Sequence, residues 1–486
     1  MATRPITPEE VAHVDDLLAR GRAAMEAFAD ATQEQVDRLC QALAWAVANE
    51  ATFIRLAQMG VEESGIGDPE SRVSKRFKVM GILRDILRQP SIGVIEELPE
   101  KGIVKYAKPV GVIASLVPTT NPELTPPGVG MFAIKCRDAV VFSPHPRSKR
   151  TTQETVRIMR AVLEREGAPV DLLQCVARPS IPAAQYLMAQ ADLVQATGGR
   201  DMVLAAYSSG TPAYGVGAGN STMVIDETAD IAEAARNTRL SKTSDFGSGC
   251  SADGNLVVES SVYDALREAL VKEGGHLAGP DEIDRLRTTV WDSDGHRTPD
   301  TIAISAQALA AKAGFEIEPD RRFFIVEQTE IGKHNVFSSE KLGVVLSMFR
   351  YSGFENALDM VRAIYEVGGK GHSCGIYSFD DDHIDRLARM APVSRIMVRQ
   401  AQSKANAGAF NNGMPMTSSL GCGTWGGNIT SENIHLKHYM NVTWVSRPIA
   451  EDRPSEEALF GEFYGTPIDW QEAEDSESRT PTLTAR

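Results

Sequence analysis

The chain has 486 residues, of which 24% are charged, 42% apolar and 6% aromatic, and its 50 Lys+Arg against 65 Asp+Glu leave a formal net charge of −15. It is too apolar for intrinsic disorder and long enough for about two to four domains. Its acidity opposes general binding to nucleic acid or to anionic lipid, both of which need basic surface, but leaves room for a local basic pocket.

Residues 8–60 read as helices, because Val36, Leu39, Leu43 and Val47 recur at three- and four-residue spacing and form one apolar stripe. From about residue 103 the pattern changes to short Val- and Ile-rich runs: Val110–Val117, Ala139–Phe142, Leu193–Ala196 and Met223–Ile225. Helix-like segments at 150–166, 182–190 and 200–207 separate them. The alternation resumes with strand candidates Asn255–Val258, Phe323–Val326, Val344–Phe349, Cys374–Phe379 and Arg395–Val398, and helical stretches at 261–273, 354–367 and 383–390. Such alternation predicts parallel sheets with crossover helices, so two successive α/β blocks with a cleft between them are expected. Residues 451–486 hold ten acidic and three basic residues and read as an acidic, solvated tail; Phe460, Phe463, Tyr464 and Trp470 suggest that part of it docks.

Six cysteines (Cys40, Cys136, Cys175, Cys250, Cys374, Cys422) lie far apart with no CxxC pair, unlike a disulfide scaffold. The N-terminus has no apolar core of a signal peptide, and no run of 18 apolar residues offers a membrane span. A cytoplasmic enzyme with no membrane or nucleic-acid partner is the expectation.

Cys250 lies in a loop of small residues, SKTSDFGSGCSADG (241–254), just before a strand. Glycines at 247, 249 and 254 leave its thiol uncrowded, as a nucleophile requires, although a small buried cysteine in a turn has the same local sequence. Asn121, in VPTTNP (117–122), follows the first strong strand, where open parallel sheets bind ligands. Its amide suits an oxyanion donor, and Asn before Pro also suits a plain turn. Gly198 and Gly199 in ATGG follow a strand and open a helix, where free amides face a phosphate. GVGAGN (215–220) is weak by spacing, and His435 and His438 at i, i+3 have no third ligand, so no metal is assigned.

Taken in order, these segments resemble the acylating, CoA-dependent branch of the aldehyde dehydrogenase superfamily from about residue 103 to 446. The resemblance rests on VPTTNP (117–122), FSPHPR (142–147), ATGG (196–199), AAYSSG (205–210), GVGAGN (215–220), VIDETADI (224–231) and SKT (241–243). It continues through Cys250, EKL (340–342), GGKGHS (368–373), LGCGTWGGN (420–428) and SENIHLKH (431–438). It implies an α/β, aldehyde dehydrogenase-like fold: N-terminal helices and a Rossmann-like dinucleotide domain over 1–230, with an oligomerisation strand near 88–107. A catalytic domain over 231–418, a return with an oligomerisation strand over 419–450, and the tail at 451–486 complete the expected layout, and a homodimer or homotetramer is implied.

The resemblance also implies roles. Cys250 matches the nucleophile, Asn121 an oxyanion donor beside the Cys250 amide, and Glu340 the glutamate on the nicotinamide ribose. Ser143, His145, Pro146 and Arg147 match the adenosine-ribose segment, with Lys149 and Arg150 following; Gly198 and Gly199 match the pyrophosphate cradle. Thr119 and Gly217 fall in matched cofactor segments, and His372 matches a histidine near the cofactor that could handle the CoA proton. Hydrolytic relatives carry a water-activating glutamate 34 residues before the nucleophile; here Val216 stands there, which favours resolution of the acyl-enzyme by CoA.

Two departures bear on the ligands. Where acetaldehyde-type relatives read like NTPASQG, this chain reads RQAQSKA, so Arg399 and Lys404 are expected to serve an anionic aldehyde, sulfoacetaldehyde first and succinate semialdehyde second; both cations facing solvent is the alternative. Pro146 replaces an often acidic ribose-binding residue, so the absence of a carboxylate leans toward NADP over NAD. An acetaldehyde enzyme of the same mechanism, a non-redox cysteine acyltransferase or thioesterase, and a silent scaffold are the competing readings.

Overall fold

The computed structural model describes residues 4–467. Five helices come first: α1 (Pro8–Ala27), α2 (Gln33–Ala48), α3 (Glu50–Ser64), α4 (Pro69–Arg72) and α5 (Arg76–Leu87). Thr7 and Thr32 open α1 and α2 with capping boxes closed by Glu10 and Gln35, and Asn49 caps α3. The apolar stripe of α2 is buried as its spacing predicts: Val36, Leu43 and Val47 are fully enclosed.

Strands β1 (Val94–Leu98) and β2 (Ile103–Pro109) precede the first α/β array. That array runs β3 (Val112–Val117), α6 (Thr125–Cys136), β4 (Ala139–Pro144), α7 (Lys149–Arg165), β5 (Leu173–Cys175), α8 (Ile181–Gln190), β6 (Leu193–Thr197), α9 (Arg200–Tyr207) and β7 (Ala213–Val216). Its five strands pair in parallel in the order β5-β4-β3-β6-β7. Every residue of β3 and β4 is buried, which is why these strands read as continuous apolar runs instead of alternating ones. The strand order reverses between β3 and β6, and the carboxyl ends of those two strands flank the crevice where such sheets bind ligands.

A second parallel sheet follows, ordered β10-β11-β12-β9-β8-β13-β14. Its members are β8 (Thr222–Ile225), β9 (Asn255–Glu259), β10 (Gly275–Leu277), β11 (Phe323–Gln328), β12 (Val345–Tyr351), β13 (Cys374–Tyr377) and β14 (Ile396–Val398), with α10 (Ile231–Thr243) between β8 and β9. The sequence groups Met223–Ile225 with the first block, but β8 pairs with β9 and β13 of the second sheet. Periodicity cannot tell which sheet a short, fully buried strand joins.

Two compact units are distinguished. The larger, residues 4–95 and 106–443, holds both α/β sheets; the smaller is built from Glu96–Lys105 and the segment from Trp444 onward. Strand β15 (Met440–Ser446) completes a three-stranded sheet ordered β1-β2-β15. In the smaller unit the Lys105 ammonium lies 4.1 Å from the Trp444 ring centre and 2.5 Å from Glu96. The expected docking of the tail is not found where it is described: Phe460, Phe463 and Tyr464 are exposed. Trp470 lies outside the described residues. Among the described residues no helix is long and apolar enough to cross a membrane.

Candidate functional site

The larger unit contains a cavity of about 680 Å³. The five-stranded sheet reaches it from its carboxyl ends, through Thr119 and Asn121 after β3, Gly198 and Gly199 after β6, and Gly217 after β7. The seven-stranded sheet reaches it from the opposite pole: Cys250 precedes β9 and Glu340 precedes β12. Helix α5 and the segment 403–418 complete the wall.

Cys250 is half-buried, and all six cysteines are free. The chain reaches it through a tight turn in which Asp245, Phe246 and Gly247 all take left-handed backbone angles (φ 51°, 49° and 69°). The carbonyl of Cys250 passes so close to Gly219 that a Cβ there would fall 1.8 Å from the oxygen, so only glycine fits. The Cys250 Sγ lies 3.0 Å from Nε2 of His372, just before β13. Nδ1 of His372 is 2.9 Å from the Ser373 hydroxyl, which is 3.0 Å from that of Ser221, and the Ser221 hydroxyl donates to the Cys250 carbonyl. Arg395 donates to the His372 carbonyl and fixes the loop.

This pair rests neutral. Burial pushes the Cys250 thiol up to about 12, with Glu340 adding to the effect. Burial pulls His372 down to about 3, with the Arg395 charge acting in the same direction. A neutral imidazole at hydrogen-bond distance can take the thiol proton when the sulfur attacks.

Asn121 faces the same cavity and is oriented by a charge network that sequence reasoning did not single out. Lys75 Nζ donates to Asn121 Oδ1, to the Thr120 carbonyl and to Asp245, each at 2.8 Å. With Oδ1 so engaged, the amide NH₂ is the end left to donate. Asp245 in turn accepts Arg72 on both oxygens at 3.0 Å, together with the Asp68 amide and the Ser248 hydroxyl. These cations hold its carboxyl far below the usual range despite burial. Behind them Glu123 is fully buried, 3.9 Å from Arg72, and burial raises its pKa. The left-handed turn before Cys250 is thus clamped to α4 and to the residue opening α5. Asp245 stands inside the Cys250 loop; Lys75 and Arg72 lie some 170 residues away in an unremarkable SRVSK stretch, and sequence offered nothing to connect them.

The cofactor-side expectations divide. Thr119, His145, Arg147, Gly198, Gly199, Gly217 and Glu340 line the cavity. Glu340 accepts the Gly219 amide at 2.9 Å, and burial pushes its carboxyl up to about 7 against the pull of Gly219, Arg297 and the Lys242 and Lys341 charges. Ser143 is enclosed within β4, while Pro146, Lys149 and Arg150 sit on the surface outside the cavity lining. The segment also has a carboxylate after all. Glu63 accepts the backbone amides of Arg150 and Thr151 at 2.7 and 2.8 Å and the Thr151 hydroxyl at 2.8 Å, capping the start of α7 from α3.

The aldehyde dehydrogenase family profile matches residues 5–439 of the chain. The chain belongs to the aldehyde dehydrogenase family. It is 43% identical to a sulfoacetaldehyde dehydrogenase from an Acholeplasma species, covering 92% of this chain and 93% of that one. It is 40% identical to the acylating sulfoacetaldehyde dehydrogenase of Bilophila wadsworthia, covering 93% and 98%. Among solved structures, an acetylating aldehyde dehydrogenase from Geobacillus thermoglucosidasius superposes with a TM-score of 0.88 at 34% identity over 92% of this chain and 99% of that one.

In this aldehyde dehydrogenase Val216, 34 residues before Cys250, lines the cavity with an apolar side chain, at the position where the resemblance implies a glutamate in hydrolytic relatives. Of the two cations expected at the aldehyde, Lys404 lines the cavity and donates to the hydroxyls of Ser244 (2.6 Å) and Ser74 (3.2 Å). Arg399 is a correction: it lies outside the cavity lining. Its left-handed backbone (φ 51°) turns it onto Phe379, with the guanidinium 4.0 Å from the ring centre and a hydrogen bond to the Ser378 carbonyl.

Proposed function

We propose that the protein is a CoA-acylating aldehyde dehydrogenase that oxidises a small anionic aldehyde, sulfoacetaldehyde first, to its CoA thioester, with a nicotinamide dinucleotide as electron acceptor. The observation that carries the reading is a cysteine thiol 3.0 Å from a neutral imidazole in a cavity shared with Asn121, where the position of a hydrolytic base is Val216. Succinate semialdehyde is the second substrate in this reading, on the same grounds of charge.

In this mechanism His372 takes the Cys250 proton as the sulfur adds to the aldehyde carbon. The carbonyl oxygen becomes an oxyanion facing the Asn121 amide NH₂ and the Cys250 backbone N–H, donors fixed before the charge appears. The adduct becomes a thioester by losing a hydride, for which a bound dinucleotide would supply the acceptor. The residues fit it: Gly198 and Gly199 open α9 with free amides, Glu340 offers a carboxylate for ribose hydroxyls, and His145 and Arg147 border the same space. The Cys250 thioester then meets no activated water, because Val216 is no base. Once His372 has released the first proton to solvent, the CoA thiol attacks the acyl carbon, gives its proton to His372, and expels Cys250 as thiolate, which takes that second proton back. The two half-reactions share one oxyanion site.

The exposed side chains of Trp444, Val445 and Ile449 in the smaller unit favour a homodimer or homotetramer. The decisive assay pairs sulfoacetaldehyde, succinate semialdehyde and acetaldehyde with NAD or NADP, with and without CoA, following nicotinamide absorbance and the thioester by mass. Turnover that is equal without CoA sinks the acylating reading, and absence of nicotinamide reduction leaves only a non-redox acyl transfer.

A further inference from the structure

The wall of the cavity formed by α5 and the segment 403–410 carries more positive charge than the reaction uses. Lys75, Lys78 and Lys404 all line it. Lys75 is matched by Asp245 at 2.8 Å and is occupied with Asn121. Lys78 and Lys404 have no such match. The Lys78 ammonium donates to the carbonyls of Ala407 (3.0 Å) and Gly408 and lies 3.7 Å from the Met416 sulfur. Lys404 rests on two serine hydroxyls. Among the described residues, neither ammonium is within ion-pair distance of a carboxylate, although the pair faces a cavity whose neighbouring walls include Phe77, Phe410 and Met416. Lys404 is exposed and hydrated, whereas Lys78 is half-buried, and a half-buried cation without a counter-ion is costly unless an anion arrives with the ligand.

We propose that Lys78 is a specificity-determining residue, forming with Lys404 the receptor for the sulfonate or carboxylate of an anionic aldehyde; this rests on the anionic-aldehyde reading above and assigns it a second cation in place of Arg399. Lys78 fits the part on three counts. It is anchored at its tip by carbonyls of the segment that carries Lys404, so the two ammonium groups are held on one wall. It has no role in orienting Asn121, which falls to Lys75. Its environment also makes its charge sensitive to an incoming anion: burial, Lys404 opposite and Arg84 on its own helix lower its pKa to about 7, with Asp85 alone acting upward. A bound anion favours the protonated form, so binding of the substrate and of a proton are linked.

The test is the ratio of kcat/KM for an anionic aldehyde (sulfoacetaldehyde, then succinate semialdehyde) to that for propanal, in the wild-type enzyme, Lys78→Met, Lys78→Arg and Lys404→Met. The ratio is expected to fall about 10- to 100-fold in Lys78→Met and in Lys404→Met, through KM, and to be largely kept in Lys78→Arg. Dinucleotide binding by fluorescence titration and the urea midpoint of Lys78→Met report whether the fold is intact. In the wild type the ratio should also fall as pH rises through about 7, and this fall should move to higher pH in Lys78→Arg. A wild-type enzyme that prefers propanal overturns the anionic-aldehyde reading itself. A wild-type preference for the anion that survives in Lys78→Met overturns the assignment of Lys78 and leaves that reading standing. Ethanesulfonate separates the same outcomes without turnover: it is expected to inhibit wild type competitively and Lys78→Met at least about 10-fold more weakly, and equal inhibition of the two overturns the assignment.

Discussion

The Cys250 side and the α5 side of the cavity treat charge in opposite ways. Beside Cys250 the groups rest uncharged or matched: thiol and imidazole are neutral, Glu340 is pushed up to about 7, and Asp245 is paired with Arg72 and Lys75. On the α5 side two ammonium groups lack a carboxylate partner among the described residues. The first arrangement suits a charge that appears only during reaction; the second suits one the ligand carries from the start. Binding gained on the α5 side is shared by ground and transition states, whereas the Asn121 amide is complementary to the oxyanion alone. Substitutions on the two sides should therefore separate into effects on kcat and effects on KM.

The most severe break is Cys250→Ala. Aldehyde oxidation should fall by at least about 10⁴-fold, with dinucleotide binding by fluorescence titration retained. Residual turnover above one-hundredth of wild type would move the nucleophile elsewhere. Asn121→Ala should lower kcat by about 10²–10³-fold with little change in aldehyde KM, the reverse of the pattern expected for Lys78→Met. A KM effect alone would show that Asn121 binds substrate instead of the oxyanion.

The neutral pair makes a pH prediction of intermediate size. Because the thiol is raised and the imidazole lowered, ligand-free enzyme should hold almost no Cys250 thiolate near neutrality. Its alkylation by iodoacetamide should climb steadily with pH beyond 9, compared with Cys250→Ala to remove the other thiols. A plateau between pH 5 and 8 would instead indicate a thiolate–imidazolium pair and would bring the two sides of the cavity closer in character.

Much of this contrast is legible in the sequence, but unevenly. The helices of residues 8–60 and the strand runs at 139–142, 193–196 and 374–379 follow directly from periodicity and from β-branched content. Cys250 and Asn121 stand out because small residues or a strand end surround them, Glu340 only through the family resemblance, and the fold brings all three to one cavity. Lys78 and the Arg72–Asp245–Lys75 network do not stand out, because a lysine on an amphipathic helix looks the same in sequence whether it meets solvent or a cavity. Arg399 misleads for the complementary reason: its place in a loop beside Lys404 is right, but a left-handed backbone angle turns the side chain away.

Glu63 gives the smallest and most discriminating test, outside the cavity lining. Its carboxylate caps the first amides of α7, beside Arg147, Lys149 and Arg150, the segment that the family resemblance implies for the adenosine ribose. The helix start offers positive potential that a 2′-phosphate could share, but Glu63 already occupies it and would repel that phosphate. Glu63 takes the Arg150 and Thr151 amides on separate oxygens, so Glu63→Gln removes the charge and keeps an oxygen acceptor for only one of the two. The NADP-to-NAD ratio of kcat/KM should rise about five- to tenfold, while stability to urea falls by about 0.5–1 kcal/mol as the helix start loses its anion. A changed stability with an unchanged ratio would place the adenosine ribose away from the start of α7, and the basic side chains there would then have no part in cofactor choice.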